Sequence, residues 1–130
     1  MKLKAIATDR APAAIGPYSQ AIQVGNLLFC SGQIALDPVS GEIVAGGMRE
    51  QAEQVMNNIA AVLSAAGTGF DDVLKATIFL VDMRDFAVVN EVYGRCFPQH
   101  KPARSTVAVQ GLPRGVLLEI EIIATVGSAC

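Results

Sequence analysis

At Gly67 the hydrophobic pattern changes from the period of a helix to that of a buried strand, and this change most limits the folds open to the chain. Apolar side chains recur every three or four residues from Met48 to Ala66, which predicts a helix that ends at Gly67. The run VLKATIFLV at 73–81 is β-branched and nearly continuous, which predicts a strand buried on both faces. A helix followed so closely by a buried strand favours helices packed on a sheet. The apolar positions of the helix are Met48, Ala52, Val55, Met56, Ile59, Val62, Leu63 and Ala66.

Turn and capping residues divide the rest of the chain into further elements. Gly25-Asn26 suits a tight turn between two strands, and Asp82 suits the N-cap of a second helix that Pro98 ends. The order of elements is strand pair, helix, strand, helix, strand, strand. It predicts a single α+β domain over residues 1–130, with a mixed sheet and both helices on one face. The predicted strands lie at 21–32 (the pair), 73–81, 104–110 and 116–126, and the second helix reaches about Phe97.

Composition narrows the classes of function. Hydrophobic residues make up 52% of the 130 residues, a high share for a small domain, and this indicates contacts between subunits. No apolar run approaches the roughly 18 residues of a membrane span. A net charge of -2, with acidic and basic residues well mixed, lacks the basic patch of a nucleic-acid partner. The first 20 residues lack the apolar core of a signal peptide, so we expect a cytoplasmic protein.

Metal and cofactor chemistry has little support in the sequence. The cysteines Cys30, Cys96 and Cys130 are an odd number without a CxxC spacing, which argues against a disulfide framework or a zinc site. Phosphate-binding and dinucleotide-binding motifs are absent, so we expect no cofactor. The single histidine, His100, lies between two prolines without an evident nucleophile beside it. We therefore expect a surface-loop residue rather than a catalytic base.

Side-chain alternation assigns charged residues to one face of the sheet. Glu119 and Glu121 lie opposite the more apolar side of the last strand, and Arg104 and Thr106 lie opposite the side of Val107 in the strand before it. If the more apolar side of each strand meets the helices, those four polar residues share the helix-free face. This face also carries apolar residues, which predicts that further copies of the chain cover it. The apolar residues are Phe79, Val81 and Ile123.

Arg104 and Glu119 are the strongest candidates for chemistry. An arginine fixed at the start of a strand can hold a carboxylate in a bidentate grip, and a glutamate on the same face can order or activate a water. The structural alternative is that Arg104 forms a cross-strand ion pair with Glu119 or Glu121.

Other candidate site residues also have structural alternatives. Ser31-Gly32 ends a strand, where a glycine lets a ligand approach the backbone, but an ordinary turn explains it equally well. Tyr18 can donate a hydrogen bond into a pocket, or it can pack the N-terminal segment. Asn90 lies beside the apolar stripe of the second helix, where it can face a site or solvent; the stripe consists of Phe86, Val89, Tyr93 and Cys96.

Several segments together resemble the reactive intermediate deaminase (RidA/YjgF) family. They occur in the family's order and cover nearly the whole chain. The segments are Ala11–Gln20 (APAAIGPYSQ), Ser31–Ile34 (SGQI), Asp37-Pro38 with Ser40–Glu42, Asp85-Phe86 with Asn90, His100–Ser105 (HKPARS) and Glu119–Ile122 (EIEI).

The resemblance implies an architecture. It implies a six-stranded mixed sheet with two helices on one face, similar to the small chorismate mutases, and a homotrimer whose sheets form a barrel with clefts between subunits. It also implies that the last strand inserts beside 73–81. The short GLPRG connection instead favours pairing of the last two strands with each other. We expect the arrangement of the family.

The resemblance also implies roles for residues. Arg104 matches the arginine that holds the substrate carboxylate, and Glu119 matches the glutamate associated with the attacking water. Thr106 stands where some members have a cysteine, so it offers a hydroxyl for binding water instead of a thiol. The remaining matches are the cleft-lining positions Tyr18, Ser31, Gly32 and Asn90.

The activity implied is cofactor-free hydrolysis of reactive 2-imino acids, derived from 2-aminoacrylate and 2-aminocrotonate, to 2-keto acids and ammonia. Two alternatives stay open. One is a carboxylate-binding or regulatory trimer without turnover. The other is an endoribonuclease or translation inhibitor, against which the net charge of -2 and the seven aromatic residues argue.

Overall fold

The computed structural model describes residues 2–127, which form six strands in one mixed sheet and two α-helices. The strand order is β1-β2-β3-β6-β4-β5, and only the β4–β5 pair is parallel. Cys130, one of the three cysteines for which we expect no disulfide framework or zinc site, lies outside the described residues. The elements are β1 (Leu3–Ile6), β2 (Ala21–Val24), β3 (Leu27–Cys30), α1 (Met48–Ala65), β4 (Val73–Leu80), α2 (Phe86–Arg95), β5 (Ala103–Ala108) and β6 (Leu118–Thr125).

The helices follow their hydrophobic pattern. The predicted apolar face of α1 is buried up to Leu63, and Gly67 adopts a φ of 80° just after the helix, so the predicted first helix is confirmed. The second helix is shorter than predicted. The Asp82 carboxylate accepts the Arg84 backbone N–H and caps a single 3₁₀ turn, and α2 begins only at Phe86. No helix within residues 2–127 has both the length and the apolar character to cross a membrane.

Two polar residues on the buried side of α1 fasten the loops that cross it. The Asn58 side-chain amide, 1% exposed, donates to the carbonyl oxygens of Ile34 and Leu36 at 3.1 Å each. The Gln51 side-chain oxygen accepts the Leu117 backbone N–H at 2.9 Å. These bonds satisfy backbone groups that burial would otherwise leave unpaired.

The strand order decides between the two predicted arrangements. β6 lies between β3 and β4, so the arrangement implied by the family resemblance is confirmed and the pairing of the last two strands is wrong. α2 carries the chain across the sheet, and β5 then pairs parallel to β4 at the edge. The GLPRG connection therefore passes over β4 instead of closing a hairpin. The predicted turn at Gly25 does close a hairpin between β2 and β3, with a φ of 58°.

Only one face of the sheet is buried within the chain. The helices cover the face that contains Ala76, Ile78, Ile120 and Ile122, all 3% exposed or less. On the other face Phe79 is half-buried, so the predicted burial of β4 on both faces is not reached within a single chain.

The predicted sharing of one face by Arg104, Thr106 and the two glutamates is wrong. Arg104 lies opposite Ala76 and Thr106 opposite Ile78, so both belong to the helix-covered face. Glu119 and Glu121 are on the free face. The prediction failed because β5 is an edge strand whose apolar side is turned to the free face. That apolar side includes Val107, which is 43% exposed.

Candidate active site

Arg104 is held by three side chains of α2. Its Nη1 donates to Oδ1 of Asn90 at 2.7 Å, and its guanidinium carbon lies 5.0 Å from the ring centroid of Tyr93 and 5.5 Å from that of Phe86. None of the ion pairs among the described residues includes Arg104. The alternative of a cross-strand ion pair with Glu119 or Glu121 is therefore wrong, because those carboxylates lie on the other face. Asn90 faces Arg104 rather than only solvent.

A cleft of about 430 Å³ opens beside Arg104. Its walls combine aromatic rings with two cationic side chains, which suits a small anion that has an apolar part. The hydroxyls Thr106 Oγ1 and Tyr93 OH are buried and have no hydrogen-bond partner among residues 2–127. The cleft is lined by Asn90, Tyr93, Gly94, Phe97, Lys101, Pro102 and Arg104.

A second cleft, of about 620 Å³, contains the other predicted site residues, namely Tyr18, Ser31, Gly32 and Glu119. Tyr18 is 54% exposed. The Ser31 hydroxyl donates to the carbonyl oxygen of Ser19 at 2.6 Å, so it also ties the N-terminal segment to β3. The predicted residues therefore divide into two groups on one chain. Only Thr106 lines neither cleft.

Gly32 allows a close approach, as its position predicted, but the approaching group is the side chain of Glu119. A Cβ added at Gly32 would lie 2.0 Å from Glu119 Oε2 and 2.9 Å from its Cγ. Partial burial raises the pKa of the Glu119 carboxyl, and the negative charge of Glu121 raises it further. A carboxyl with a raised pKa is suited to exchange protons nearer neutral pH.

The two groups cannot meet within one chain. Glu119 pairs with Phe79 of β4, whereas Arg104 pairs with Ala76 on the far side of β4. Two strand spacings and three residues along the strands separate their Cα atoms by about 14 Å, and the side chains leave opposite faces. A small ligand that touches both types of residue therefore requires a second chain.

Some residues that contact Arg104 or line the second cleft were not predicted as site residues. Phe86 and Tyr93 were assigned to the apolar stripe of the second helix, yet both contact Arg104. Their spacing from Asn90, four residues before and three after, places all three on one helix face, and this signal was available in the sequence. Gln20 was also missed: its buried side chain bonds the backbone of Thr8, Ala11 and Pro12 and so holds the segment that leads to Tyr18.

His100 and the two described cysteines have structural surroundings. His100 is half-buried, and its Nε2 lies 2.6 Å from the carbonyl oxygen of Val73, so the ring fastens its loop to β4. Burial raises the pKa of the Cys30 thiol to about 12 and also raises that of Cys96, which disfavours the reactive thiolate. Among residues 2–127, no three His, Cys, Asp or Glu side chains come together as metal ligands.

Residues 8–126 match the family described as Endoribonuclease L-PSP. This chain belongs to the RidA/YjgF/L-PSP family. A RidA/YjgF/L-PSP relative from Mus musculus, a 2-iminobutanoate/2-iminopropanoate deaminase, is 51% identical over 124 residues, which are 95% of this chain and 92% of the mouse protein. The crystal structure of RidA from the Antarctic bacterium Psychrobacter superimposes with a TM-score of 0.91 at 46% identity, covering 95% of this chain and 99% of that one. E. coli TdcF with bound serine gives a TM-score of 0.90 at 45% identity, covering 95% and 99%.

Proposed function

We propose that this protein is a cytoplasmic deaminase that hydrolyses small 2-imino acids, derived from 2-aminoacrylate and 2-aminocrotonate, to 2-keto acids and ammonia. The observation that carries the proposal is the guanidinium of Arg104, which Asn90 and Tyr93 hold in a cleft with aromatic walls and which forms no ion pair within residues 2–127. Such a group is built to grip a carboxylate in two hydrogen bonds. The similarity to the mouse deaminase, which is 51% identical over nearly the full length, also supports the proposal.

Arg104 holds the carboxylate of the substrate and thereby fixes the neighbouring C=N carbon. Glu119 accepts a proton from a water as the water oxygen attacks that carbon, and it then returns this proton to the nitrogen. The resulting carbinolamine then loses ammonia as its hydroxyl becomes the carbonyl of the 2-keto acid. Because such imines also hydrolyse unaided, holding the reactants in position supplies much of the acceleration. This chemistry requires no cofactor.

The substrate site lies between subunits of a homotrimer. Arg104, Asn90 and Thr106 come from one chain, and Tyr18, Ser31, Gly32 and Glu119 come from its neighbour. The separation of about 14 Å between Arg104 and Glu119 within one chain supports this arrangement. The open sheet face, which carries half-exposed Phe29 and Val107, supports assembly because large apolar groups there gain from burial.

Two other functions give different results in the same tests. A carboxylate-binding regulator would bind ligand through Arg104 without accelerating hydrolysis. The related TdcF has been crystallised with bound serine, an amino acid that carries a carboxylate, and this supports testing for ligand binding without turnover. An endoribonuclease, the activity in the description of the matched family, would need a surface for RNA. The net charge of -2 argues against that surface.

The first experiment generates 2-iminobutanoate with an amino-acid oxidase and traps surviving imine with semicarbazide. Wild type should remove imine faster than buffer, and Arg104→Ala and Glu119→Ala should each lose at least about 100-fold in kcat/KM. Arg84→Ala is the control, because Arg84 is an exposed arginine whose ion pair with Asp82 lies away from both clefts. If wild type removes imine no faster than buffer but still binds 2-oxobutanoate, the deaminase proposal is wrong and the carboxylate-binding function takes its place.

Mixing tests whether two chains share each site. When the inactive Arg104→Ala and Glu119→Ala proteins are unfolded and refolded together in equal amounts, about a quarter of interfaces between subunits combine an intact arginine with an intact glutamate. Activity should therefore return to about a quarter of wild type. No recovery, with mixed oligomers demonstrated by mass spectrometry, would place each site within one chain.

A further inference from the structure

The proposed mechanism gives no role to Tyr93, although the ring of Tyr93 lies against the guanidinium of Arg104. The ring of Tyr93 lies closer to the guanidinium than that of Phe86, at 5.0 Å against 5.5 Å. Tyr93 itself is only 6% exposed and packs on Phe97 with ring centroids 4.7 Å apart. Phe97 in turn contacts Phe70 edge to face at 5.3 Å. The guanidinium therefore rests on a ring that the core holds in place.

A fixed ring determines how the guanidinium can present its hydrogens. The Tyr93 ring lies against the guanidinium, and Asn90 accepts one of the Nη1 hydrogens. The N–H groups that remain point outward in the plane of the guanidinium, where a carboxylate accepts two of them side by side. Without the ring the long side chain samples many rotamers, and binding would have to select one of them.

We infer that Tyr93 is a positioning residue that acts through Arg104: its ring orients the guanidinium for the substrate carboxylate. This inference rests on the proposed function, in which Arg104 binds that carboxylate. The ring carries the effect, since it is the part of Tyr93 in contact with Arg104. The Tyr93 hydroxyl is buried and has no hydrogen-bond partner in the described part of the chain, so a substitution can remove it and keep the ring.

The experiment compares Tyr93→Leu with Tyr93→Phe and with Phe70→Leu. Phe70→Leu removes a ring from the same aromatic cluster without touching Arg104, so it controls for lost packing. Two quantities are measured for each variant: kcat and KM in the imine assay, and the Kd for 2-oxobutanoate by calorimetry. The Kd readout does not depend on turnover.

Tyr93→Leu should raise KM and Kd about tenfold, the scale of one cation–π contact, and leave kcat within about twofold. Tyr93→Phe keeps the ring, so its KM and Kd should stay close to those of wild type, and Phe70→Leu should keep the wild-type Kd. In the Arg104→Ala background, Tyr93→Leu should change the Kd no further, because its effect passes through Arg104.

Three results would overturn the inference without contradicting the proposed deaminase activity. They are an unchanged Kd in Tyr93→Leu, a rise in Kd in Phe70→Leu as large as that in Tyr93→Leu, and a Kd in Tyr93→Phe as high as that in Tyr93→Leu. If wild type binds 2-oxobutanoate with this dependence on Tyr93 but hydrolyses no imine, the positioning role stands and the deaminase fails. A wild type that binds no carboxylate overturns both.

Discussion

Replacing Gly32 with alanine moves the Glu119 carboxylate without altering Glu119 itself. The backbone of Gly32 does not require glycine, because its φ lies outside the left-handed region. The new Cβ would lie 2.0 Å from Oε2 of Glu119, whereas ordinary contact begins at 3.4 Å. The carboxylate must therefore move by about 1.4 Å, and the Cγ contact of 2.9 Å requires the whole side chain to turn.

A displacement of this size is large for catalysis and small for folding. Misplacing a catalytic group by about 1 Å costs on the order of 100-fold in rate, so Gly32→Ala should lower kcat by about that factor. Glu119 is half-exposed and can rotate toward solvent, so the free energy of unfolding should change by less than about 1 kcal/mol. The imine-trapping assay measures the first quantity and urea unfolding the second.

The control is Gly69→Ala, where a Cβ meets no atom within 4 Å and the φ of -157° suits any residue. In the Glu119→Ala background, Gly32→Ala should cause no additional loss of kcat, because the displaced group is already gone. The reasoning would be refuted by a Gly32→Ala protein with wild-type kcat. It would also be refuted if the two substitutions lowered kcat independently.

Three further predictions address charge, stability and thiol chemistry. Because the charge of Glu121 raises the pKa of Glu119, Glu121→Gln should shift the acidic limb of the kcat/KM–pH profile to lower pH; an unshifted limb contradicts this. Asn58→Ala should cost on the order of 2 kcal/mol in urea unfolding, since two partly buried carbonyls lose their donor, whereas exposed Asn57→Ala should be near neutral. With a pKa of about 12, the Cys30 thiol should react slowly with maleimide at about pH 8, which peptide mass spectrometry can measure. Labelling of Cys30 as fast as that of free cysteine would contradict this prediction.

The elements of this fold were predictable where one hydrophobic period held over many residues. The α1 stripe and the β4 run each gave their type and nearly their ends, because burial on one side repeats along them. β1 was not predicted from its pattern, since LKAI is too short to alternate convincingly and only its last residue is buried. The place of β6 came from the family resemblance, because the short connection alone favours the wrong neighbour.

The candidate site residues could be chosen from the sequence, but the geometry that relates them could not. Arg104 and Glu119 were identified by residue type and motif, whereas their faces depended on the register of β5 against β4, which sequence alternation does not fix. Asn90 was identified without its partner, and Phe86 and Tyr93 were assigned only to the core. A side chain that both fills a core and supports an arginine has the same hydrophobic pattern as one that only fills a core.

The opposite faces of Arg104 and Glu119 have a consequence for how such a site stays available. On one face, as neighbours, the two charges would form a cross-strand ion pair and neutralise each other. On opposite faces, with β4 between them, neither side chain can pair with the other in its own chain, so each retains its hydrogen-bonding capacity for a ligand. If assembly then brings one chain's arginine to another's glutamate, the substrate carboxylate and the water can lie between them. Under the proposed mechanism this separation leaves an isolated chain without a complete site, so we predict that activity falls at protein concentrations where the proposed homotrimer dissociates.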